Sequence, residues 1–443
     1  MVNRIGFYSW SGADTVEMIR LKYFNPPIDS ANILSSYSEA YIEKIKNQLG
    51  VTDIWATFSW GFGFENELEQ YNFIIEKIKL FHNYDIRVHA YIQGPNRVYN
   101  QTHKKLSIWA KNAFGSKIFY HSGRYITCIQ NPVFLALQDQ ILDYALNFPF
   151  DGIFIDNIWM GQIPLKVGKD ISFFGCKCWN CKNKYYESTG KKIPDFYRDY
   201  IHNSYYFSYQ NFRIQCVTNY LKNIAKKVHN KNIEFGWNSY DGMQTEFTSG
   251  LDLEATKSFC DYFLFENHSL PGYRYGKNFS NQYLSDFIQK TSKPVFIVSY
   301  KEGIGLEPNF SKNDIELILA ESKLLSYAPC FKGGEFVTDG VWHNLKFTTN
   351  CSYHQMDRSE EVKKIILQQK ILPIIAKKSI LYLKKKKKRY LIHLLTAPSD
   401  YFKMQAVNIG YHGTAFSLAK SRKVRKYFEK KGIYRKIYAA NVV

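Results

Sequence analysis

The chain has 443 residues, 45% hydrophobic and 22% charged, which is enough apolar material for a sizeable core and excludes a disordered chain. No stretch approaches the ~20 apolar residues of a membrane-spanning helix, and the first strand candidate starts at Arg4, leaving no room for a secretory leader. The formal charge of +20 admits an anionic partner, but the lysines are spread over most helix candidates rather than gathered on one, so neither nucleic acid nor membrane is expected as a partner.

Short apolar runs alternate with amphipathic stretches along the first 375 residues. The strand candidates are "IGFYSW" (5–10), "DIWATFSW" (53–60), "IRVHAYIQ" (86–93), "GIFIDN" (152–157), "IEFGWNS" (233–239), "DYFLFEN" (261–267), "PVFIVSY" (294–300) and "FKGGEFVT" (331–338). Most are almost continuously apolar, as parallel strands buried on both faces should be. Helical spacing marks 38–50, 66–84, 131–146, 209–228, 281–291, 312–327 and 358–375, with a shorter segment at 252–257. Asn131 and Pro132 form a cap and first-turn pair. Eight strands alternating with helices predict a (β/α)8 barrel over residues 1–375. An open doubly wound sheet is the rival, but no glycine-rich nucleotide turn follows the first strand. Residues 376–443 form a second, basic segment with a run from Lys384 to Arg389 and a strand–helix–strand pattern, a small βαβ appendage.

In such a barrel the C-terminal strand ends surround one pocket. Those ends carry Trp10, Trp60, Asn96, Asp156, Asn157, Trp237, Asn238, Glu266, Tyr300 and Glu335. Phe154 and Asp156 share one strand face, as do Tyr262, Leu264 and Glu266, so if the lower members fill the barrel the carboxylates reach its mouth. Asp151 and Asp261, at strand starts, read as caps or turn formers. Aromatic rings stack on sugar C–H faces, carboxamides bind hydroxyls, and two acids can cleave a glycosidic bond without a cofactor. The substrate expected is therefore a carbohydrate. Trp60, Trp237 and Tyr300 would stack on it, and Asn96, Asn157 and Asn238 would bind hydroxyls. A non-catalytic carbohydrate-binding barrel is the alternative, and a basic protein binding an anionic polymer through its tail is a third.

Of the eight cysteines, Cys176, Cys178 and Cys181 fall within six residues. Zinc generally takes four ligands, so they either hold a structural zinc, with Cys128 or a histidine as the fourth, or stand as reduced free thiols. Either reading suits a cytoplasmic chain.

"FPFDGIFIDN" and "CKCWNCKNKYYESTGKKIP", together with "FSWGFGFENELEQYNFIIEKIKLFHNYDIRVHAYIQGPN" and "YFLFENHSLPG", resemble the hypothetical glycoside-hydrolase-like barrel families, predicted relatives of the α-galactosidase and α-fucosidase type barrels. The resemblance covers residues 1–375. It implies that Asp156 is the nucleophile of a retaining glycosidase. Glu266 is the acid/base candidate, with Glu335 and Glu302 as rivals. "NIGYHGTAFSLAKSRKVRKYFEKKGIYRKIYAANVV" resembles the beginning of the amidotransferase-like trimerisation domain of some β-galactosidases, which makes the C-terminal segment the part offering an oligomer contact.

Overall fold

The computed structural model describes residues 4–10, 34–112, 115–120, 123–158, 160, 175–193, 204–239, 250–267, 287–299 and 312–332. Eight parallel strands close into one barrel: β1 (Gly6–Trp10), β2 (Asp53–Ser59), β3 (Arg87–Gln93), β6 (Gly152–Asp156), β7 (Glu234–Ser239), β8 (Tyr262–Asn267), β9 (Val295–Ser299) and β10 (Ala328–Lys332), in that order around the ring, with β10 returning to β1. This is the (β/α)8 architecture. Two short strands, β4 (Asn96–Val98) and β5 (Arg124–Ile126), pair antiparallel above β3 and were not foreseen in the connection that holds them.

Seven barrel strands lie within a residue or two of their predicted bounds. The eighth is displaced, since 331–338 was expected and β10 begins at Ala328. Pro329 reads as a breaker in sequence, yet it lies in register with Ile297 while Cys330 and Phe331 pair on both sides. A proline removes one donor from a ladder, and its neighbours still bond. Glu335, Tyr300, Glu302, the helix expected at 358–375 and the whole segment 376–443 lie outside the described residues.

The helices follow local chemistry. In α1 (Glu39–Leu49), Ser38 caps the Tyr41 N–H, Gly50 closes the helix at φ 70°, and Ile42, Ile45 and Leu49 face the core. α2 (Leu68–His82) packs on β2 and β3. α3 (Pro132–Ala145) starts as read, with the Asn131 side chain accepting from Val133 and Phe134 N–H. α4 (Trp179–Thr189) was not anticipated. α5 (Ser204–His229), α6 (Leu253–Thr256) and α7 (Lys312–Leu325) complete the described set. No helix among the described residues is long and apolar enough to cross a membrane.

Alternate strand residues face inward. Tyr8, Trp55, Tyr91, Phe154, Tyr262, Leu264, Phe296, Val298 and Cys330 fill the barrel, while Ile54, Val88, Ile153, Ile155, Phe235, Trp237, Phe263 and Ile297 pack in the layer facing the helices. Large rings need small neighbours. A Cβ on Gly6 would come 2.5 Å from the Trp55 ring, and one on Gly236 would meet the Tyr262 ring at 2.2 Å.

The N-terminal end of the barrel is plugged by charge. Fully buried Asp53 accepts from Arg4 at 2.5 and 3.1 Å and from His89 Nε2 at 2.9 Å, and Arg87 lies 2.9 Å away. Glu234 takes the other sides of Arg4 and Arg87. Burial works against the Asp53 charge, but the bonds from His89 and Arg4 outweigh it and hold the carboxyl well below the usual range. Asp53, His89 and Glu234 lie close enough to share a metal, but two guanidinium groups already occupy their oxygens, so this is an ion-pair plug. Asp151 and Asp261 act as local caps, each accepting a backbone N–H from the neighbouring strand and pairing with a helix-end histidine, His82 or His229.

One buried acid carries a pH dependence. Glu321 of α7 is 1% exposed and accepts from Tyr327 Oη at 2.8 Å. Burial outweighs that bond and pushes the carboxyl from 4.5 to about 8. Between those values the folded chain keeps a proton that the unfolded chain has released, so stability falls as pH rises through this window and levels off above it. Glu321→Gln removes the effect. Thermal unfolding should find the variant close to wild type at pH 5 and more stable than wild type at pH 8.5.

Candidate active site

At the C-terminal end of the barrel the inward positions become polar. Asp156 ends β6 and is 1% exposed, and Glu266 on β8 is 7% exposed. The Tyr8 hydroxyl on β1 sits between them, 2.8 Å from Asp156 Oδ1 and 2.9 Å from Glu266 Oε1. Asp156 Oδ2 accepts from Tyr91 Oη and from Asn157 Nδ2. Asn157 adopts φ 56°, a left-handed conformation that asparagine tolerates better than most residues. It ends the strand and turns its amide back onto the preceding carboxylate.

Two further side chains lock this arrangement. Asn238 of β7 accepts from Asn157 N–H at 2.8 Å and donates to Glu266 Oε1 at 2.6 Å, bridging the ends of β6 and β8. Tyr120, delivered by the loop that carries β4 and β5, donates to Asn157 Oδ1 at 2.5 Å, and Arg124 lies over the Tyr120 ring with its Nη1 on Gln93 Oε1. Gln93 is the register partner of Asp156.

The structure thus brings together Asp156, Asn157, Asn238 and Glu266. Trp60 is buried, lies in the barrel-filling cluster and packs at 5.6 Å on Tyr91. Its backbone N–H donates to Glu67, a buried carboxylate that also accepts from Gly61, Ser59 and Tyr71. Asn96 is fully buried on β4, and neither of its amide atoms has a partner among the described residues. Trp10 is the last residue of β1. Trp237 is a correction. It packs edge-on against Phe263 in the outer layer, because adjacent strand residues face opposite sides and Asn238 takes the inward position. Tyr300 and Glu335 lie outside the described residues.

Sequence reasoning missed Tyr8, Tyr91, Tyr120 and Glu67. Parity alone marks Tyr8 and Tyr91 as inward-facing, and no sequence signal tells a barrel-filling ring from one whose hydroxyl reaches a carboxylate.

A second cluster lies apart. Cys128, Cys176, Cys178 and Cys181 are buried, and their four sulfurs lie within 4.8 Å of one another, with Cys128 3.4 Å from Cys178 and from Cys181. Cys128, rather than a histidine, is the fourth member. Four sulfurs at ~2.3 Å around a tetrahedral zinc stand about 3.8 Å apart, so the donor set and its spacing fit that ion. Thiol bonds from Cys128, Cys176 and Cys181 push Cys178 far below the ordinary thiol range. Cys128 is pushed up first by its bond with Cys176, and Cys181 first by its bond with Cys128. Outside the cluster, burial pushes both Cys216 and Cys260 up to about 12.

No protein-family model matches the chain, and no curated protein matches it. Among solved structures it is similar to a β-galactosidase from the Antarctic haloarchaeon Halorubrum lacusprofundi, at 12% identity over 68% of this chain and 50% of that one, TM-score 0.48. It is also similar to an α-galactosidase from Lactobacillus brevis, at 8% identity over 83% of this chain and 40% of that one, TM-score 0.43. A trehalose-6-phosphate hydrolase from Bacillus licheniformis shares 11% identity over 75% of this chain and 64% of its own, TM-score 0.41. The chain thus spans half the length of the haloarchaeal enzyme. The fold assignment rests on the closed strand order.

Gly94 controls how closely β3 approaches the site. Its N–H donates to the Asp156 carbonyl at 2.8 Å, and a Cβ there would stand 2.3 Å from that same oxygen. Gly94→Ala must push the end of β6 aside. Urea unfolding should register a loss of about 1–3 kcal/mol, the usual cost of overpacking.

Proposed function

We propose that the chain is a retaining glycoside hydrolase with Asp156 as nucleophile and Glu266 as acid/base. The observation that carries this reading is the shared Tyr8 hydroxyl. Two oxygens 2.8 and 2.9 Å from one atom are less than about 6 Å apart, a bound that admits the ~5–5.5 Å carboxyl separation of double displacement. Asp156 attacks the anomeric carbon while Glu266 gives its proton to the leaving oxygen. Glu266 then takes a proton from water, and the resulting hydroxide displaces Asp156. Asn157 and Tyr91 hold the nucleophile, and Asn238 holds the acid. Among the described residues Trp60 and Trp237 are buried, so neither offers the open aromatic platform that a merely carbohydrate-binding barrel would need. An anionic-polymer role for the basic tail would rest on residues outside the described set. The four thiols are assigned a structural zinc that ties the loop before α3 to the loop after β6, away from the reacting groups.

A screen of aryl α- and β-glycosides tests the reaction. One series should be cleaved, with proton NMR showing the first-formed product in the substrate's own anomeric configuration. Asp156→Asn should reduce turnover to background. Glu266→Gln should cost roughly 10²–10⁴-fold on poor leaving groups and much less on good ones. Full activity in Asp156→Asn would falsify the mechanism.

Metal analysis tests the zinc. Protein purified without chelator should hold about one zinc per chain, with sulfur distances near ~2.3 Å by X-ray absorption. Cys128→Ser should lower both the metal content and the unfolding temperature. Metal-free wild type leaves only reduced thiols.

A further inference from the structure

We propose that Tyr8 is a positioning residue whose single hydroxyl proton points to Asp156 in the resting site and turns to Glu266 once Asp156 carries the sugar. The inference rests on the glycosidase reading of the same pair of acids. Its foundation is geometric. Tyr8 is 2% exposed, its ring wedged against Tyr91 and Phe154 with centroids 5.8 Å from each. The ring cannot swing freely, but the O–H bond can rotate about the C–O axis.

A phenol offers one proton and two acceptor lone pairs. Tyr8 can therefore donate to Asp156 Oδ1 or to Glu266 Oε1, never to both at once. The contact on the other side is attractive only if that carboxyl is protonated and donates to the tyrosine oxygen. The row Asp156–Tyr8–Glu266 is thus satisfied by two protons, in one of two orders. Asn238 donates to Glu266 Oε1, but Tyr91 and Asn157 both donate to Asp156 Oδ2, and the two donors there outweigh the one and favour the anion on Asp156 in the resting site. Tyr8 then donates to Asp156, and Glu266 holds the acid proton and donates it to Tyr8. Among the described residues, the other titratable or charged groups facing this row are Tyr91 from β3, Tyr120 through Asn157, and Arg124 over the Tyr120 ring.

Turnover reverses the order. In the first step a bond forms from an Asp156 oxygen to the anomeric carbon and the bond to the leaving oxygen breaks. The Glu266 proton goes to that oxygen. Asp156 is now a neutral ester and a weaker acceptor, while Glu266 is a carboxylate, so the Tyr8 O–H turns to Glu266. In the second step Glu266 takes a proton from water, the hydroxide oxygen bonds to the anomeric carbon and the ester bond breaks. Asp156 is again the anion and Tyr8 turns back. No proton leaves Tyr8, and no further reactant enters.

The test follows the two acids directly. Full-length protein labelled with ¹³C at the Asp and Glu side-chain carboxyls is titrated by NMR, with Asp156→Asn and Glu266→Gln supplying the assignments. Tyr8→Phe keeps the ring and loses the hydroxyl, so it should raise the Asp156 midpoint by about one pH unit. 3-Fluorotyrosine at position 8, a stronger donor, should lower it, which keeps the idea testable should the phenylalanine variant fold poorly. Unchanged midpoints in both substitutions overturn the inference. With a good-leaving-group aryl glycoside, Tyr8→Phe should release a burst of aryl alcohol and then turn over more slowly, and a variant without the burst counts against the turning step. Wild type inert towards every aryl glycoside, but with midpoints that respond to Tyr8 as stated, overturns the glycosidase reading and not the proton order.

Discussion

Closure of eight parallel strands forces every second residue into a space that only side chains can fill, and the rest of the molecule follows from that constraint. The middle of the barrel is solved with rings: Trp55, Tyr91, Phe154, Tyr262 and Phe296 interlock, and the Trp55 indole N–H donates to Tyr262 Oη at 2.9 Å. Rings of that size fit because Gly6 stands against Trp55 and Gly236 against Tyr262 with no side chain. Below this layer the inward positions are Asp53, whose charge Arg4 and Arg87 balance, and His89, which is bonded to Asp53. Above it they are Asp156, Asn238 and Glu266, with the two acids accepting from Tyr8, Tyr91, Asn157 and Asn238. The same geometry therefore places an ion-pair plug at one end and a pair of hydrogen-bonded acids at the other.

The mouth is built by long-range contacts rather than by its own strands. Tyr120 reaches Asn157 from the loop between β3 and β6, and that loop is anchored by Arg97, whose buried guanidinium donates to the carbonyls of Gln93, Gly94 and Asn96 and to Gln138. Cys128 lies two residues past β5 in the same loop, while Cys176 and Cys178 immediately precede α4 and Cys181 lies in its first turn. The Lys177 N–H on the Lys111 carbonyl joins the two loops again beside the thiols. Cys128 and Tyr120 thus share the loop that reaches Asn157.

The sequence by itself determined the barrel, because strand and helix periods are local properties and apolar runs of five to seven residues between amphipathic stretches leave few other folds. It also nominated Asp156 and Glu266, since period-two parity puts an acid above Phe154 and another above Leu264. Parity was equally able to separate Asn238 from Trp237, and naming both as site residues ignored it. Pro329 hid the start of the last strand because a missing donor looks like a break when the paired neighbours are unknown. The tertiary structure alone decided the rest. Tyr8 stands 148 residues from Asp156 and 258 from Glu266, and Cys128 stands 50 from Cys178. No local pattern encodes which hydroxyl lands between two carboxyls or which thiol completes a cluster. Those contacts exist only once the ring of strands has closed, because closure is what fixes the distances between residues the chain keeps far apart.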